Sequence, residues 1–134
     1  MFSEKEIAYL KSQRLARIAT VSKELQPDVV PVGFEFDGHN FYIPGLIQTK
    51  TLKYKNVRAG NTKVALVIDD LESVDPWKPR GIKIHGTAEI VDRKGQFLTG
   101  PHLRVTPLLY RSWGIERPVF EPGGTSPQIK KGTA

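Results

Sequence analysis

The sequence predicts a mainly β domain, a small barrel with Greek-key-like connections and short peripheral helices. Six or seven short stretches rich in β-branched and aromatic residues alternate with turn residues, as in small barrels. The clearest stretch, from Ile82 to Val91, alternates apolar and polar residues, the pattern of a strand with one buried face. A chain of 134 residues can bury one core, so we expect a single domain over residues 1–134.

Composition narrows the possible functions. The chain has no cysteine, and its three histidines lack the spacing of a metal-binding pair, so we expect no metal site. A net charge of +6 indicates an anionic partner, either a nucleic acid or a small phosphorylated ligand. No apolar run approaches the length of a signal peptide or a membrane span, so we expect a cytoplasmic protein that does not bind membranes.

The elements are expected in a definite order. Ser3 and Glu6 form an S-x-x-E capping box, which predicts a helix from about residue 4 to Ser12. The strand-like stretches are 15–22, 28–36, 41–43, 63–69, 82–91 and 103–114, the last of them broken at Pro107. Segments 70–79 and 92–101 are predicted to be loops. Residues 116–134 lack apolar periodicity, and we expect a loosely ordered, flexible tail or an arm laid on a partner.

Two strand positions predict departures from a regular sheet. Pro31 has no N–H to donate, so the middle of strand 28–36 should be an edge or a bulge with free backbone groups. Gly86 lies in the inward row of strand 82–91, which indicates a bend or a close approach of two backbones.

The segment from Phe41 to Gly60 has the layout of an anion site. A strand is followed by a short loop and by a helix whose first turn carries Thr49, Lys50 and Lys53. Thr49 is a favoured N-cap residue, and the unpaired N–H groups of a helix start bind anions. Lysines there oppose the helix dipole unless a phosphate is bound. The alternative is a solvated basic helix face.

Several motifs in sequence order resemble one known family. They are Arg14–Val21, Pro27–Phe34, Phe41–Tyr42, Thr49–Lys53, Val67–Asp70, Asp75–Trp77, Pro79–Ile82 and Ser112–Ile115. The series resembles the flavin-binding split-barrel superfamily named after pyridoxamine 5'-phosphate oxidase. Within it, the match is closest to the branch described as probable enzymes of the deazaflavin coenzyme F420.

The resemblance implies a homodimer of six-stranded split barrels with flavin-type sites in the dimer grooves. Gln48, Thr49 and Lys50 match positions that bind the cofactor phosphate, with Lys53 one turn further on. Val30, Pro31 and Val32 match the strand whose backbone lines the isoalloxazine-like ring. Trp113 matches a tryptophan near the site, or else is a half-buried core aromatic. Arg80 matches a position where the neighbouring subunit approaches the cofactor, or else is a surface charge.

The function expected from this resemblance is an F420-dependent oxidoreductase that moves a hydride between the cofactor and a small organic acceptor. An FMN-binding reductase or oxidase of the same class is the first alternative. Oxidation of pyridoxamine phosphate itself is disfavoured, because the chain has Gly114-Ile115-Glu116-Arg117 where those oxidases carry an Arg/His pair after the tryptophan. A nucleic-acid-binding barrel is the second alternative, but the aromatic residues Phe34 and Tyr42 lie in apolar stretches instead of a basic stripe.

Overall fold

The computed structural model describes residues 1–122, 124 and 126–133. The described residues form one antiparallel sheet with two α-helices, which confirms the predicted mainly β class. The elements are α1 (Glu4–Ser12), β1 (Ala16–Val21), β2 (Pro27–Val32), β3 (Glu35–Phe36), β4 (Phe41–Ile43), a 3₁₀ turn (Gln48–Lys50), α2 (Leu52–Arg58), β5 (Lys63–Ser73), β6 (Lys78–Lys94), β7 (Thr99–Trp113) and β8 (Ile129–Thr133). The strand order is β2-β1-β5-β6-β7-β4-β3, and β8 pairs with β7.

The core lies on the inner face of the curved sheet. One row of the ladder aligns Ile18, Leu66, Ile84 and Tyr110 across four neighbouring strands. All four side chains are at most 2% exposed. This row is the expected result of period-2 alternation, because residues paired across antiparallel strands point to the same face.

Helix α1 begins as its capping box predicts. The Ser3 hydroxyl accepts from the Glu6 backbone N–H, and the Glu6 carboxylate accepts from the Ser3 N–H. Glu6 is fully buried and also accepts hydrogen bonds from Tyr110, Ser112 and Lys130. None of the helices in the described part of the chain has the length and apolar content that a bilayer crossing requires.

The strand count differs from the six expected, because strand 28–36 divides and a strand forms in the tail. Residues 28–36 give β2 and β3, with the break at Gly33 and Phe34. The tail prediction for 116–134 is wrong for 129–133, which pairs with β7 as β8; residues 123, 125 and 134 lie outside the described residues. Gly132 makes this pairing possible, because a side chain there would collide with the Tyr110 ring.

Both predicted loops are largely strand. Strand β5 continues to Ser73 and β6 begins at Lys78, so little of 70–79 is a loop. The second hairpin is also tight, with Gly95 donating its N–H to the Leu98 carbonyl. In both places polar, exposed residues continue the ladder, because backbone pairing does not require apolar side chains.

Pro107 does not break β7, contrary to prediction. The ladder shifts register by a bulge between His85 and Gly86, and Pro107 lies opposite Gly86. A Cβ on Gly86 would lie 2.4 Å from the Thr106 carbonyl oxygen, so the predicted close backbone approach is confirmed.

Candidate functional site

The site begins at an edge of the sheet. Strand β2 pairs only with β1 among the described strands, as predicted from its proline. Val30 is half-buried, Pro31 is exposed and Val32 is buried. An edge strand presents unpaired backbone N–H and C=O groups on its free side. These groups are available to the polar edge of a ligand, as the resemblance implies.

The turn before α2 differs from the predicted helix start. Thr51, not Thr49, is the N-cap, and its hydroxyl accepts from the Tyr54 N–H at 3.3 Å. The 3₁₀ turn intervenes because the N–H of Lys50 donates to the Ile47 carbonyl at 2.9 Å and that of Thr51 to Gln48 at 3.1 Å. These two N–H groups are therefore not available for an anion.

Gln48 holds this turn in place. It is 3% exposed, and its side-chain N–H donates to the Ile43 carbonyl at the end of β4 at 2.7 Å. Its side-chain oxygen is buried without a partner. Gly45 fits against it, because a Cβ there would lie 2.5 Å from that oxygen. With its amide N–H used, Gln48 is placed to orient the residues that follow.

Thr49 and Lys50 are exposed, whereas Lys53 is only 7% exposed. The Lys53 ammonium makes no hydrogen bond or ion pair with the residues that the structure describes. Burial lowers the pKa of Lys53, and the negative charge of Asp28 on β2, more than 4.0 Å away, offsets this only in part. A partly desolvated cation without a direct partner among the described residues thus lies beside the edge strand.

Arg80 and Trp113 lie together at the far end of the sheet. Trp113 pairs with Gly81, and a Cβ on Gly81 would be 2.7 Å from the indole ring. Arg80 donates two hydrogen bonds to Asp70, at 2.7 and 3.0 Å, and its guanidinium lies 5.1 Å from the centre of the Tyr9 ring. Trp113 is half-buried, so this geometry leaves both of its interpretations open.

Tyr9 and Asp70 complete this cluster and were missed from the sequence. The Tyr9 hydroxyl donates to Asp70 at 2.9 Å. Hydrogen bonds from Arg80 and Tyr9 hold the pKa of Asp70 below its usual range despite partial burial. Burial and the nearby carboxylate raise the pKa of Tyr9, so its hydroxyl keeps its proton. Nothing local in the sequence indicates that Tyr9 is buried.

One chain does not bring the two groups of predicted residues together. Gln48 is bonded to Ile43, which aligns with Leu103 on β7 and through it with Ile90 on β6. Trp113 is ten residues along β7 from Leu103, and Arg80 is ten residues along β6 from Ile90. Ten residues of strand span about 33 Å. The turn at Gln48 and Lys50 is therefore far along the strands from Arg80 and Trp113. Lys53 is nearer to Arg80, because Asp28 beside it is level, through β1 and β5, with His85 and Gly86 of β6.

Comparison with known proteins decides the family. Residues 2–101 match the sequence profile of pyridoxamine 5'-phosphate oxidase, which is well over half of the chain. The chain belongs to the pyridoxamine 5'-phosphate oxidase family. The matched residues include every predicted site residue of this family member except Trp113.

One curated relative and two solved structures agree with this assignment. The relative is the 5a,11a-dehydrotetracycline/5a,11a-dehydrooxytetracycline reductase of Streptomyces rimosus subsp. rimosus, which is 38% identical over 122 residues, 86% of this chain and 84% of that protein. A conserved hypothetical protein of Mycobacterium tuberculosis shares the fold, with a TM-score of 0.68, 22% identity and coverage of 93% and 94% of the two chains. A structure described as an F420 reductase gives a TM-score of 0.58 at 26% identity, covering 73% of this chain and 89% of the other. The curated relative and the F420 reductase structure support an oxidoreductase of this family, and the mycobacterial structure supports the fold.

The residues at the lysine end fit a phosphate-bearing, flavin-type group. Lys50 and Lys53 supply positive charge that no described carboxylate neutralises within 4.0 Å. Bringing an anion to a desolvated ammonium removes an electrostatic penalty, and the adjacent edge of β2 offers backbone groups to a planar ring.

Proposed function

We propose that this protein is an F420-dependent oxidoreductase that transfers a hydride between the deazaflavin and a small organic acceptor. The observation that carries the proposal is Lys53, a partly desolvated cation without a direct partner among the described residues, beside an open sheet edge. The name of the 38% identical reductase supports the same reaction class. The coenzyme, when bound, supplies the hydride chemistry.

The chain's own residues hold and orient this group. Lys50 and Lys53 neutralise the phosphate, and the exposed Thr49 hydroxyl is the neutral donor beside them. Gln48 fixes the turn that carries them through its bond to Ile43. The edge of β2 at Val30, Pro31 and Val32 receives the ring and keeps water from one side of it.

Arg80 and Trp113 are contributed by a second copy of the chain in this proposal. In one chain about ten residues of strand separate them from the turn at Gln48 and Lys50, so the proposed site takes its two groups of residues from different chains. Mixing Lys53→Met protein with Arg80→Met protein tests this. If the two residues of one site come from different chains, each heterodimer has one site with both native residues and one with neither. Random exchange of equal amounts makes about half of the dimers heterodimers, so about a quarter of all sites are restored. No recovery, or a monomer in sedimentation, contradicts the homodimer.

Cofactor choice is tested by titrating the purified protein with F420 and with FMN and following cofactor fluorescence. The expected Kd for F420 is micromolar or tighter, about −8 kcal/mol, with FMN weaker by at least tenfold, a gap of about 1.4 kcal/mol. The two share the ribityl phosphate, so the difference must arise beyond it. Equal or tighter binding of FMN replaces the F420 assignment with the flavoprotein alternative.

The phosphate subsite is tested by a matched pair of variants. Lys50→Ala should weaken binding by about 1.5–3 kcal/mol, the value of a charge-assisted contact. Lys55→Ala, which removes an exposed lysine further along α2, should have a smaller effect. Equal effects indicate a diffuse basic surface and no defined subsite.

A further inference from the structure

A second concave feature lies at the Arg80 end of the molecule. Here it is called the Trp77 cleft, a cavity of about 300 Å³ between the β5–β6 turn and the segment 114–120. Its apolar walls include Trp77, Pro79, Val119 and Phe120, and Lys78 and Arg117 lie at its rim. Cavities of 300–1,000 Å³ are the usual size for small organic ligands.

The cleft has an exposed aromatic wall. Trp77 is 58% exposed and Phe120 is 49% exposed, although their ring centres are only 6.0 Å apart. The two rings are inclined by 33°, and they come from separate segments of the chain. Large aromatic side chains placed side by side and left open to water are typical of binding surfaces for planar molecules.

The cleft is preformed by the backbone around it. Val119 is 7% exposed, and its carbonyl accepts from the Gln128 N–H at 2.8 Å, which anchors the segment that carries Phe120. At the other end of this segment Gly114 has a φ of +69°, and a Cβ there would lie 2.2 Å from the Pro79 carbonyl oxygen. The chain therefore turns closely over the start of β6, and the cavity does not depend on closure of a lid.

The charges at the rim favour an anionic ligand. Within the described part of the chain, neither Lys78 nor Arg117 has a carboxylate within 4.0 Å. Of the two carboxylates at the rim, Glu116 already has partners, since it accepts a hydrogen bond from the Ser3 hydroxyl and lies 3.9 Å from the Lys130 ammonium. Glu72 is the other, and it has no ion-pair partner among the described residues. The cleft is thus lined by two cations and one carboxylate that have no ion-pair partner among the described residues.

We propose that the Trp77 cleft binds a planar, conjugated organic acid, with its ring on Trp77 and Phe120 and its acidic group at Arg117 and Lys78. A neighbouring cavity lined by Tyr9 and Arg80 shares Glu72, Gly114 and Ile115 with the cleft, so the cleft lies next to a residue assigned to the reductase site. It is the acceptor site of the enzyme, an assignment that rests on the proposed function.

The probe is 2-naphthoate, titrated into the full-length protein by calorimetry, with binding confirmed by saturation-transfer NMR. Cyclohexanecarboxylate carries the same charge without a planar ring. The expected result is saturable binding of 2-naphthoate at least tenfold tighter than binding of cyclohexanecarboxylate. Trp77→Leu and Arg117→Gln should each weaken 2-naphthoate by at least tenfold. Both side chains are exposed, so these variants are expected to fold.

Phe97→Leu is the matched control, because Phe97 is an exposed aromatic, 65% accessible, at the tip of the β6–β7 hairpin. It should leave 2-naphthoate binding unchanged. Absence of saturable binding, equal affinity for both probes, or an equal loss in Phe97→Leu overturns the cleft as a site. Binding of 2-naphthoate without binding of F420 or FMN overturns its role as acceptor site together with the proposed function, and leaves the ligand site itself standing.

Discussion

Replacing Lys53 with methionine should stabilise the protein and weaken cofactor binding at the same time. Methionine keeps the unbranched, apolar part of the side chain and removes the ammonium. The side chain as a whole is 7% exposed, and its partly desolvated ammonium has no direct partner among the described residues. Exchanging buried ionic groups for apolar ones of similar volume is often stabilising by about 1–4 kcal/mol. Because Asp28 offsets part of the penalty, we expect about 1 kcal/mol.

This gain can be expressed as a melting temperature. An unfolding entropy of about 2.1 cal/mol/K per residue gives roughly 0.28 kcal/mol/K for this chain, so 1 kcal/mol raises Tm by about 4 °C. The loss of a charge-assisted phosphate contact should cost about 1.5–3 kcal/mol of binding, a factor of roughly 10 to 150 in Kd. Calorimetry and cofactor titration measure the two effects separately.

The pH dependence has a defined sign. The folded-state pKa of Lys53 is lowered, so above that pKa the unfolded chain binds more protons and stability rises with pH. The stability difference between Lys53→Met and the native protein should therefore be largest at neutral pH and narrow toward pH 10.5. Lys55→Met, an exposed position on the same helix, should change stability by less than about 0.5 kcal/mol. If Lys53→Met leaves cofactor affinity unchanged, Lys53 is not an anion ligand; if it destabilises the protein, the Lys53 ammonium carries no net desolvation penalty.

Two further predictions concern stability. Glu6→Gln should lower the free energy of unfolding by about 3 kcal/mol, or Tm by roughly 11 °C in calorimetry, because it removes the charge of a buried carboxylate that joins α1 to β7 and to the partly exposed Lys130 of β8. Burial raises the pKa of Glu6, but the hydrogen bonds, that from Ser112 first, together lower it below its usual value. The stability that the Glu6 carboxylate contributes is therefore present above pH 4.5 and is lost as pH falls through the folded pKa. A difference in stability between Glu6→Gln and the native protein that does not shrink in acid contradicts this. Gly114→Ala should lower the free energy of unfolding, measured by urea denaturation, by more than Gly38→Ala does. Both glycines have positive φ, but only at Gly114 would a Cβ meet backbone atoms. Equal losses of about 1 kcal/mol in the two variants would mean that the positive φ alone, and not a steric clash, destabilises the Gly114 variant.

Local patterns predicted those parts of the fold that local physics controls. The capping box at Ser3 and Glu6, the edge position of Pro31 and the close approach at Gly86 all follow from the chemistry of one or two residues. Each of these signals constrains the backbone within a few residues, so no knowledge of the rest of the chain is needed.

The errors arose where distant residues decide the structure. Strand β8 has no periodic signal, and it is held by the Lys130 ion pair with Glu6 and by the fit of Gly132 against Tyr110. The partners are more than 100 residues apart in one case and about 20 in the other. Thr51 replaces Thr49 as N-cap because a 3₁₀ turn precedes α2, and both residues are equally good caps in sequence terms.

In the candidate site, too, local features could be predicted from the sequence and features set by distant residues could not. Its lysines could be predicted from residue type and position, but the burial of Lys53 could not, because it depends on how α2 packs on the sheet. The separation between the Gln48 turn and Arg80 also could not be predicted from the sequence. Only the ladder register shows that about ten residues of strand lie between them.

The pairing of Arg80 with Asp70 does not prevent Arg80 from binding a ligand. Asp70 accepts from Nε and Nη2, so the Nη1 nitrogen and one remaining N–H of Nη2 are not used by this ion pair. The centre of the Tyr9 ring lies 5.1 Å from the guanidinium, and the Tyr9 hydroxyl donates to the same Asp70 carboxylate. The carboxylate therefore fixes the plane of the guanidinium and leaves its outer N–H groups free. An arginine held this way loses little side-chain entropy on binding an anion, which makes it better suited to a site shared between two chains than a free surface arginine would be.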